Sequence, residues 1–291
     1  MLLLLAVSAC SPNPEQRVLA ASALDASLLA RLADSDPVDP LLVVTQLQLE
    51  ADSGRAGFLT ADPFRPATPL SGVECAELPA CRYGREVLGW REPVFPGRQT
   101  VLDDSWRRQS TDARVCGVRF TAAAANEYHL ATFPDVAALG TEAGFRLTHH
   151  GACGSCSTLQ DLAVYATLDL THMAAQCARR LTIGRQKACM QAIGFSEPCA
   201  ESWAYNARHT RRHCARTCIG ELGWRSALFG SPDALLQGEE GMLNACLECD
   251  ELISGPGFQY SAGRTRRNSG IVSEIDRPGA AVRAVAHDYF D

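Results

Sequence analysis

Residues 145–165 read FRLTHHGACGSCSTLQDLAVY and hold the densest group of reactive side chains in the chain. The short run from Phe145 to His149 has the β-prone composition of a buried strand. Ser157, followed three residues later by Gln160, matches the capping-box pattern that begins a helix. The stretch therefore predicts a strand that turns directly into a helix, with histidines, glycines and cysteines at the turn.

A turn of this kind suits a functional site. The N-terminus of a helix presents unpaired backbone N–H groups, which favour negative charge and make a nearby thiol easier to deprotonate. Gly151 and Gly154 allow the backbone to approach a bound group closely. We therefore expect a site made of Cys156 as nucleophile, His150 or His149 as base, Cys153 beside them, and an anion cradle formed by the backbone of Gly154, Ser155 and Ser157.

The segments on either side of this turn indicate the fold class. Arg114–Phe120 and Glu127–Phe133 read as strands, and a short helix from Asp135 to Leu139 precedes the strand at Phe145. A strand–helix–strand–helix order is typical of a parallel pair. Residues 157–253 then read as helices that carry many cysteines. The sequence predicts an α/β (or α+β) fold, with a small, mostly parallel sheet followed by a disulfide-pinned helical block.

The N-terminus indicates the compartment. Leu2 to Val7 is an apolar run that is too short to span a membrane. The residues Val7-Ser8-Ala9-Cys10 resemble the lipobox of bacterial lipoproteins. That resemblance implies cleavage before Cys10 and lipidation of its thiol, and Ser11 after it implies the outer membrane. We expect a protein of the bacterial cell envelope, an outer-membrane lipoprotein or a secreted protein, whose partner is the membrane through an N-terminal lipid.

Composition divides the chain into three parts. Ser, Pro, Ala and Asp dominate residues 11–40, as in a tether, and prolines interrupt regular structure up to residue 66. We predict a lipoprotein signal peptide at residues 1–9, a tether and N-terminal arm at residues 10–66, and a single disulfide-rich globular domain at residues 67–291.

Charge and cysteine content limit the possible functions. The net charge is −6, which argues against nucleic acid as a partner, and no cofactor or metal is expected. Thirteen cysteines occur, so twelve remain when Cys10 is set aside. An even number in an exported chain indicates disulfides, whose pairing the sequence does not give.

Three hypotheses assign chemistry to the cysteines. Cys153-Gly154-Ser155-Cys156 at the start of a helix resembles the segment around the catalytic cysteine of papain-like proteases. That resemblance implies that Cys156 is the nucleophile, that Cys153 is in a disulfide and that His287 is the base, although Ser157 replaces the aromatic residue of that family. The same CxxC also looks like the site of thioredoxin-fold oxidoreductases, in which Cys153 would attack a disulfide. Together with Cys246 and Cys249 it could instead form a four-thiolate zinc site.

The fourth hypothesis places every cysteine except Cys10 in a disulfide and makes the protein a binding or structural component of the envelope, with an unknown small-molecule or envelope ligand. Cysteine-dependent hydrolase or transferase activity is the first alternative, and thiol–disulfide exchange the second. Arg264, Arg266 and Arg267 could clamp a carboxylate or phosphate, or could pair with the acidic segment before them. The basic segment 171–217 and the acidic segment 232–254 are expected to pack together and neutralise each other.

Overall fold

The computed structural model of the protein describes residues 24–38, 113–122, 126–168, 170–223, 244–272 and 282–290. The predicted signal peptide, Cys10 and the boundary at residue 66 lie outside these residues and stay predictions. The elements are, in chain order, α1 (Ala26–Ala33), β1 (Asp36–Pro37), β2 (Val115–Phe120), β3 (Glu127–Phe133), α2 (Val136–Thr141), β4 (Arg146–His150), α3 (Leu159–Thr167), α4 (Leu170–Ala178), α5 (Ile183–Ile193), α6 (Glu197–Leu222), α7 (Ala245–Ile253), α8 (Gly255–Ala262) and a 3-10 turn at Arg267–Ser269.

The described residues confirm the mixed fold class, a small sheet followed by a helical block joined by disulfides. The strand order is β1-β3-β2-β4. The sheet itself is mixed, since β1 runs parallel to β3 but β2 runs antiparallel to both β3 and β4. The expectation of a mostly parallel sheet needs this correction. β3 and β4 do run in the same direction around α2, as the strand–helix–strand order predicted, but β2 is inserted between them.

The central strand explains where the core lies. The residues of β2 from Val115 to Val118 are all buried. On the neighbouring strand, the fully buried Tyr128 accepts a hydrogen bond through its hydroxyl from the backbone N–H of Leu159, at 2.9 Å. The sheet is thereby joined directly to the first turn of α3. Most residues of α3 are buried, so this helix is the centre of the core.

The start of α3 differs by one residue from the prediction. Thr158, not Ser157, is the N-cap, and its hydroxyl accepts a hydrogen bond from the N–H of Asp161. The hydroxyl of Ser157 is already used by His149 and Gly154. The capping pattern therefore located the helix correctly, but a competing tertiary contact moved the cap.

Three disulfides hold the helical block together. Cys177–Cys189 joins α4 to the middle of α5. Cys214–Cys249 and Cys218–Cys246 join the second half of α6 to α7. The basic segment is thus fixed to the described part of the acidic segment, as predicted. The expected neutralisation is limited, because the arginines exposed on α6 form no ion pair with described residues.

Residues 24–38, within the predicted arm, belong to the fold. Asp25 caps α1 by accepting a hydrogen bond from the N–H of Leu28, at 2.8 Å. Leu32 on this helix is fully buried in the common core. The short strand β1 then pairs with β3, so the N-terminal segment contributes both a helix and a sheet edge.

Candidate functional site

The backbone N–H groups expected to cradle an anion are all occupied within the protein. Gly154 donates to the hydroxyl of Ser157 at 2.7 Å, and the N–H of Ser157 donates to the carbonyl of Gly154. Ser155 and Cys156 donate to the carbonyls of Ser261 and Ala262, at 2.9 and 2.8 Å. These N–H groups are therefore not available to the anion that we predicted at Gly154, Ser155 and Ser157, since the last two residues of α8 and the turn itself accept their hydrogen bonds in this form of the protein.

Glycine is required where these two segments meet. A Cβ atom on Gly154 would lie 2.5 Å from the backbone nitrogen of Gly263 and 2.6 Å from the carbonyl oxygen of Ser261. Real Cβ atoms do not approach backbone atoms so closely, and backbone cannot move aside as a flexible side chain can. The glycine thus permits close packing of two backbones inside the protein, and not the approach of a substrate.

His149 and Ser157 form a hydrogen-bonded pair inside the core. The Nδ1 atom of His149 lies 2.9 Å from the carbonyl oxygen of His150, which can only accept, so Nδ1 carries the proton. The Nε2 atom of His149 is then an acceptor, and the hydroxyl of Ser157 donates to it at 2.7 Å. Burial, followed by the charge of Arg264, lowers the pKa of His149 well below its usual value. Both side chains are fully buried, so no substrate can reach them in this form.

The predicted nucleophile is not a thiol. Cys156 forms a disulfide with Cys199 at the start of α6, and Cys153 forms one with Cys116 on β2. A nucleophile and an attacking thiol of an exchange reaction both need a free thiolate, so the assignments of Cys156 and Cys153 as catalytic residues are wrong for this form of the protein.

Two further disulfides pair Cys246 with Cys218 and Cys249 with Cys214. All four cysteines of the hypothetical zinc site are therefore oxidised and cannot bind zinc as thiolates. Within the described ranges no group of three or more His, Cys, Asp or Glu side chains is arranged to hold a metal ion.

His150, the preferred base, lies at the end of β4. Its Nε2 atom donates to the carbonyl of Ala284 at 3.3 Å, and its Nδ1 atom has no hydrogen-bond partner among the described residues. Burial and then the charge of Arg283 lower the pKa of His150. With Cys156 oxidised, His150 has no thiol to activate. His287, the base implied by the resemblance to papain-like proteases, donates from Nε2 to the carbonyl of Ser269 at 2.8 Å. Its Nδ1 atom accepts a hydrogen bond from the hydroxyl of Tyr289.

Arg264, expected to clamp a substrate, is fully buried. Its five N–H groups donate to acceptors within the protein, all of them uncharged. These acceptors are the carbonyls of Thr148, Cys156 and Ser157 and the hydroxyls of Thr148 and Ser269, at 2.6 to 3.2 Å. A guanidinium with every donor used cannot bind a ligand, so the clamp prediction is wrong. Arg264 instead ties the end of β4 to the start of α3.

The two neighbouring arginines are also used internally. The side chain of Arg266 is buried and donates to the carbonyls of Tyr165 and Leu168 at the end of α3. Arg267 forms an ion pair with Glu251 on α7, at 3.0 Å. The alternative stated above, that this loop pairs with the acidic segment, is therefore confirmed for Arg267.

Ser155 completes the internal network. Its hydroxyl lies 2.6 Å from that of Ser202 on α6, which lies 2.9 Å from the hydroxyl of Ser261. All three are buried. The assignment of Ser155 as a ligand-binding residue is wrong for the same reason as those of its neighbours.

A buried carboxylate that the sequence analysis missed connects α3 to α6. Asp161 is fully buried and accepts hydrogen bonds from the N–H and the hydroxyl of Ser196, both at 2.8 Å, and from the hydroxyl of Thr158 at 2.5 Å. Burial raises the pKa of Asp161 to about 6, against the opposing effect of these hydrogen bonds. Its position in an otherwise apolar helix face was the signal that could have identified it.

The strongest candidate for a binding site lies in the helical block. A cavity of about 510 Å³ opens between α4, α6, α7 and α8. One wall is aromatic: the rings of Trp203 and Phe258 lie 4.5 Å apart, and Tyr165 lies behind Trp203 at 6.4 Å. Alanines and leucines, among them Leu170, Ala174, Ala207 and Leu247, also line the cavity, and several charged side chains lie among its lining residues. The surface of this cavity is nevertheless mainly apolar.

Four buried polar atoms at this cavity have no hydrogen-bond partner among the described residues. They are Tyr165 Oη, Trp203 Nε1, Asn206 Oδ1 and Gln259 Oε1. Burial and then the charge of Asp161 raise the pKa of Tyr165. The nearby indole of Trp203 has a smaller, lowering effect on this pKa, although the geometry of Trp203 Nε1 and Tyr165 Oη is not that of a hydrogen bond. The side chains of Tyr165 and Asn206 belong to residues that are only 2% and 8% exposed. Since a buried unpaired polar group costs about 1–3 kcal/mol, such a cluster is typical of a site that a ligand completes.

Sequence reasoning missed this site because no motif marks it. Its residues are spread over more than one hundred positions and come together only through helix packing. One signal was present: Trp203, Asn206 and Thr210 recur at helical spacing on one side of α6, which makes part of its inward side polar.

Comparison with known proteins adds one similarity. Residues 183–285 match a family of unknown function (DUF8771), which covers α5 to the segment that carries Ala284. No curated protein and no solved structure matches the chain. The matched range includes the part of the cavity formed by α6, α7 and α8.

The five disulfides of the described residues indicate an oxidising compartment, so the protein is non-cytoplasmic, either secreted or part of the cell envelope. None of the helices in the described ranges combines the length and the apolar composition that crossing a bilayer requires.

Proposed function

We propose that this protein is an exported, lipid-anchored binding protein that holds a small amphipathic molecule in the cavity between α4, α6, α7 and α8. The observation that carries the proposal is the group of four buried polar atoms that have no hydrogen-bond partner among the described residues and lie on the wall of a mainly apolar cavity. A cavity of about 510 Å³ lies within the usual size range of small-molecule sites.

The anchoring rests on the N-terminal residues and the compartment. Val7-Ser8-Ala9-Cys10 has the lipobox pattern, and the disulfides agree with export. A lipid on Cys10 would hold the domain at a bacterial membrane, and Ser11 at the next position favours the outer membrane. Incorporation of a labelled fatty acid into the wild-type chain, and its absence in Cys10→Ser, tests the anchor separately from the cavity.

The chemistry of the cavity indicates the type of ligand. Trp203 Nε1 can only donate, Asn206 Oδ1 and Gln259 Oε1 can only accept, and Tyr165 Oη can do both. None of these groups is charged. A ligand that suits them has an apolar body beside Trp203 and Phe258 and an uncharged polar head, such as an amide or a hydroxyl.

Fluorescence titration tests the cavity. N-phenyl-1-naphthylamine becomes fluorescent in apolar sites, and we expect it to bind and to be displaced by dodecanamide more effectively than by dodecanoate. Ala207→Phe fills the cavity and should remove binding, whereas Ala192→Phe on the exposed side of α5 should not change it. Asn206→Leu should reduce the preference for the amide over the carboxylate, with Gln191→Leu, an exposed residue of α5, as its matched control.

Two outcomes contradict the proposal. The first is that the probe does not bind the folded wild-type chain, and the second is that Ala207→Phe and Ala192→Phe bind it equally. Circular dichroism and the retained disulfides show in each case that the variant is folded, so that loss of binding is not loss of structure.

A further inference from the structure

A row of arginines lies on the outer side of α6. Arg208, Arg212 and Arg216 follow one another at intervals of four residues, so they project from the same side of the helix, and Arg211 lies beside them. All four side chains belong to exposed residues. The helix therefore carries a concentrated positive charge on a protein whose net charge is −6.

No carboxylate within the described ranges forms an ion pair with this row of arginines, Arg208, Arg212 and Arg216. The carboxylates in the first half of α6, Glu197 and Glu201, are paired with Lys187 instead, at 2.7 and 3.5 Å. Like charges four residues apart on a helix repel each other, so the row costs stability unless an external anion offsets it.

An exposed leucine lies beside the arginines. Leu181, in the loop between α4 and α5, is 83% exposed, the largest value among the exposed large apolar residues of the described chain. Arg180 precedes it and is also exposed. Between this loop and α6 lies a depression, which is lined by Leu181 and Ile183 on one side and by Arg208 and Arg211 on the other.

The loop that presents Leu181 is firmly held. The disulfide Cys177–Cys189 closes it at its base. The buried side chain of Gln186 donates to the carbonyls of Ala178 and Arg180, at 3.1 and 2.9 Å, and Arg211 donates to the same two carbonyls. A single exposed leucine is ordinary on a protein surface; this one is distinguished because its loop holds it across a shallow depression from the arginines of α6.

We propose that this surface, defined by Arg180, Leu181, Arg208, Arg211, Arg212 and Arg216, docks on a membrane that contains anionic phospholipids. The arginines bind lipid phosphates, for which the guanidinium fork is suited, and Leu181 enters the boundary between head groups and acyl chains. The exposed side chain of Leu181 beside these arginines favours a lipid surface over a soluble polyanion, which would offer it no apolar contact.

The docking surface lies next to the cavity described above. Leu181 and Arg211 line both the depression and the rim of the larger cavity, so docking brings the rim of that cavity close to the lipid surface. The docking inference does not depend on what the cavity binds, and it adds a second contact to that of the predicted lipid on Cys10.

Sedimentation with vesicles tests the proposal. The full chain with Cys10→Ser is mixed with phosphatidylcholine vesicles and with vesicles of phosphatidylcholine and phosphatidylglycerol. Docking predicts binding to the second kind that weakens as salt is added. Arg208→Gln/Arg212→Gln/Arg216→Gln should weaken it on the order of 100-fold, and Leu181→Ser about tenfold with the salt dependence unchanged.

A matched triple variant separates this surface from net charge. Arg31→Gln/Arg119→Gln/Arg146→Gln removes the same charge from α1, β2 and β4 and should leave vesicle binding unchanged. These arginines contact Phe290, Phe145 and Asp288, so circular dichroism first shows that the variant is folded. Equal loss in the two triple variants overturns the proposal, as does equal binding to both kinds of vesicle. Binding to heparin with none to the anionic vesicles would assign the surface to a soluble polyanion and overturn it as well.

Discussion

The turn at residues 150–157 and the cavity of the helical block differ in how completely their polar groups are satisfied. The turn contains histidines, cysteines and glycines at spacings typical of catalytic sites, yet almost every donor and acceptor there is paired within the protein. The cavity has no motif, yet four of its buried polar atoms lack partners among the described residues. The comparison teaches that reactive residue types indicate a site only if they are left available after folding.

The largest effect is expected from Arg264, which follows α8 and donates hydrogen bonds to the turn and to the end of β4. Arg264→Met leaves the five acceptors of Arg264 without their donors in the core. We expect the free energy of unfolding to fall by at least about 4 kcal/mol, since each buried unpaired group costs about 1–3 kcal/mol. Urea denaturation with the disulfides intact measures this. Arg208→Met, on the exposed side of α6, is the control and should raise stability by at most about 0.5 kcal/mol, because it relieves repulsion within the row of arginines. An equally small effect at Arg264 would mean that its hydrogen bonds do not hold the turn.

Two glycines provide a matched pair for the packing of the turn. Gly154→Ala places a Cβ against the backbone of residues 261–263 and should destabilise the protein by about 2–3 kcal/mol. Gly184→Ala, in the first turn of α5, meets no atom within 4 Å and should stabilise the protein by up to about 1 kcal/mol, because alanine favours helix. Thermal melting compares the two, and effects of the same sign would contradict the close packing at Gly154.

Acid should destabilise both regions through buried histidines. Burial lowers the pKa of His287 near the turn to about 4, and burial together with the charge of His213 lowers that of His209 on α6 to about 3. Below the ordinary value of about 6.5 the unfolded chain takes up protons that the folded chain does not, so stability falls by about 1.4 kcal/mol per pH unit for each histidine.

One group acts in the opposite direction. Asp161, whose folded pKa is raised to about 6, binds its proton before the unfolded chain does and adds stability as the pH falls from there to about 3.8. Urea denaturation across this range should still show a net loss, because His149 adds to the other two histidines. His209→Gln should reduce the slope of the free energy of unfolding against pH. A free energy of unfolding that does not change with pH would contradict the burial of these groups.

The smallest effect is expected in the cavity and has the opposite sign. Asn206→Leu removes an unpaired buried oxygen and should leave the free energy of unfolding of the empty protein unchanged or raise it by about 1 kcal/mol. Ser157→Ala in the turn, by contrast, removes the hydrogen-bond partner of both His149 and Gly154 and should lower the free energy of unfolding. Destabilisation of equal size in both variants would show that Asn206 is satisfied in the protein and that the cavity needs no ligand.

The fold was largely predictable from local patterns, whereas the function of the turn was not. Alternation of apolar residues located β2 and β3, β-prone composition located β4, and Asp135 located α2, because these signals depend on neighbours in the chain. The insertion of β2 between β3 and β4 depends on long-range pairing that no local pattern contains. In the same way, the disulfide partner of Cys156 lies 43 residues away on α6, and one acceptor of Arg264 lies 116 residues away on β4. The sequence therefore showed reactive groups without showing the residues that bind them in the folded protein.

Titration of N-phenyl-1-naphthylamine into His150→Gln and Ala207→Phe, beside the wild-type chain, tests most directly where the binding site lies. His150 carries the one unpartnered imidazole nitrogen of the turn among the described residues, and Ala207 lines the cavity. We predict unchanged affinity in His150→Gln and loss of binding in Ala207→Phe. Loss in His150→Gln with full binding in Ala207→Phe would return the site to the turn and contradict the account given above.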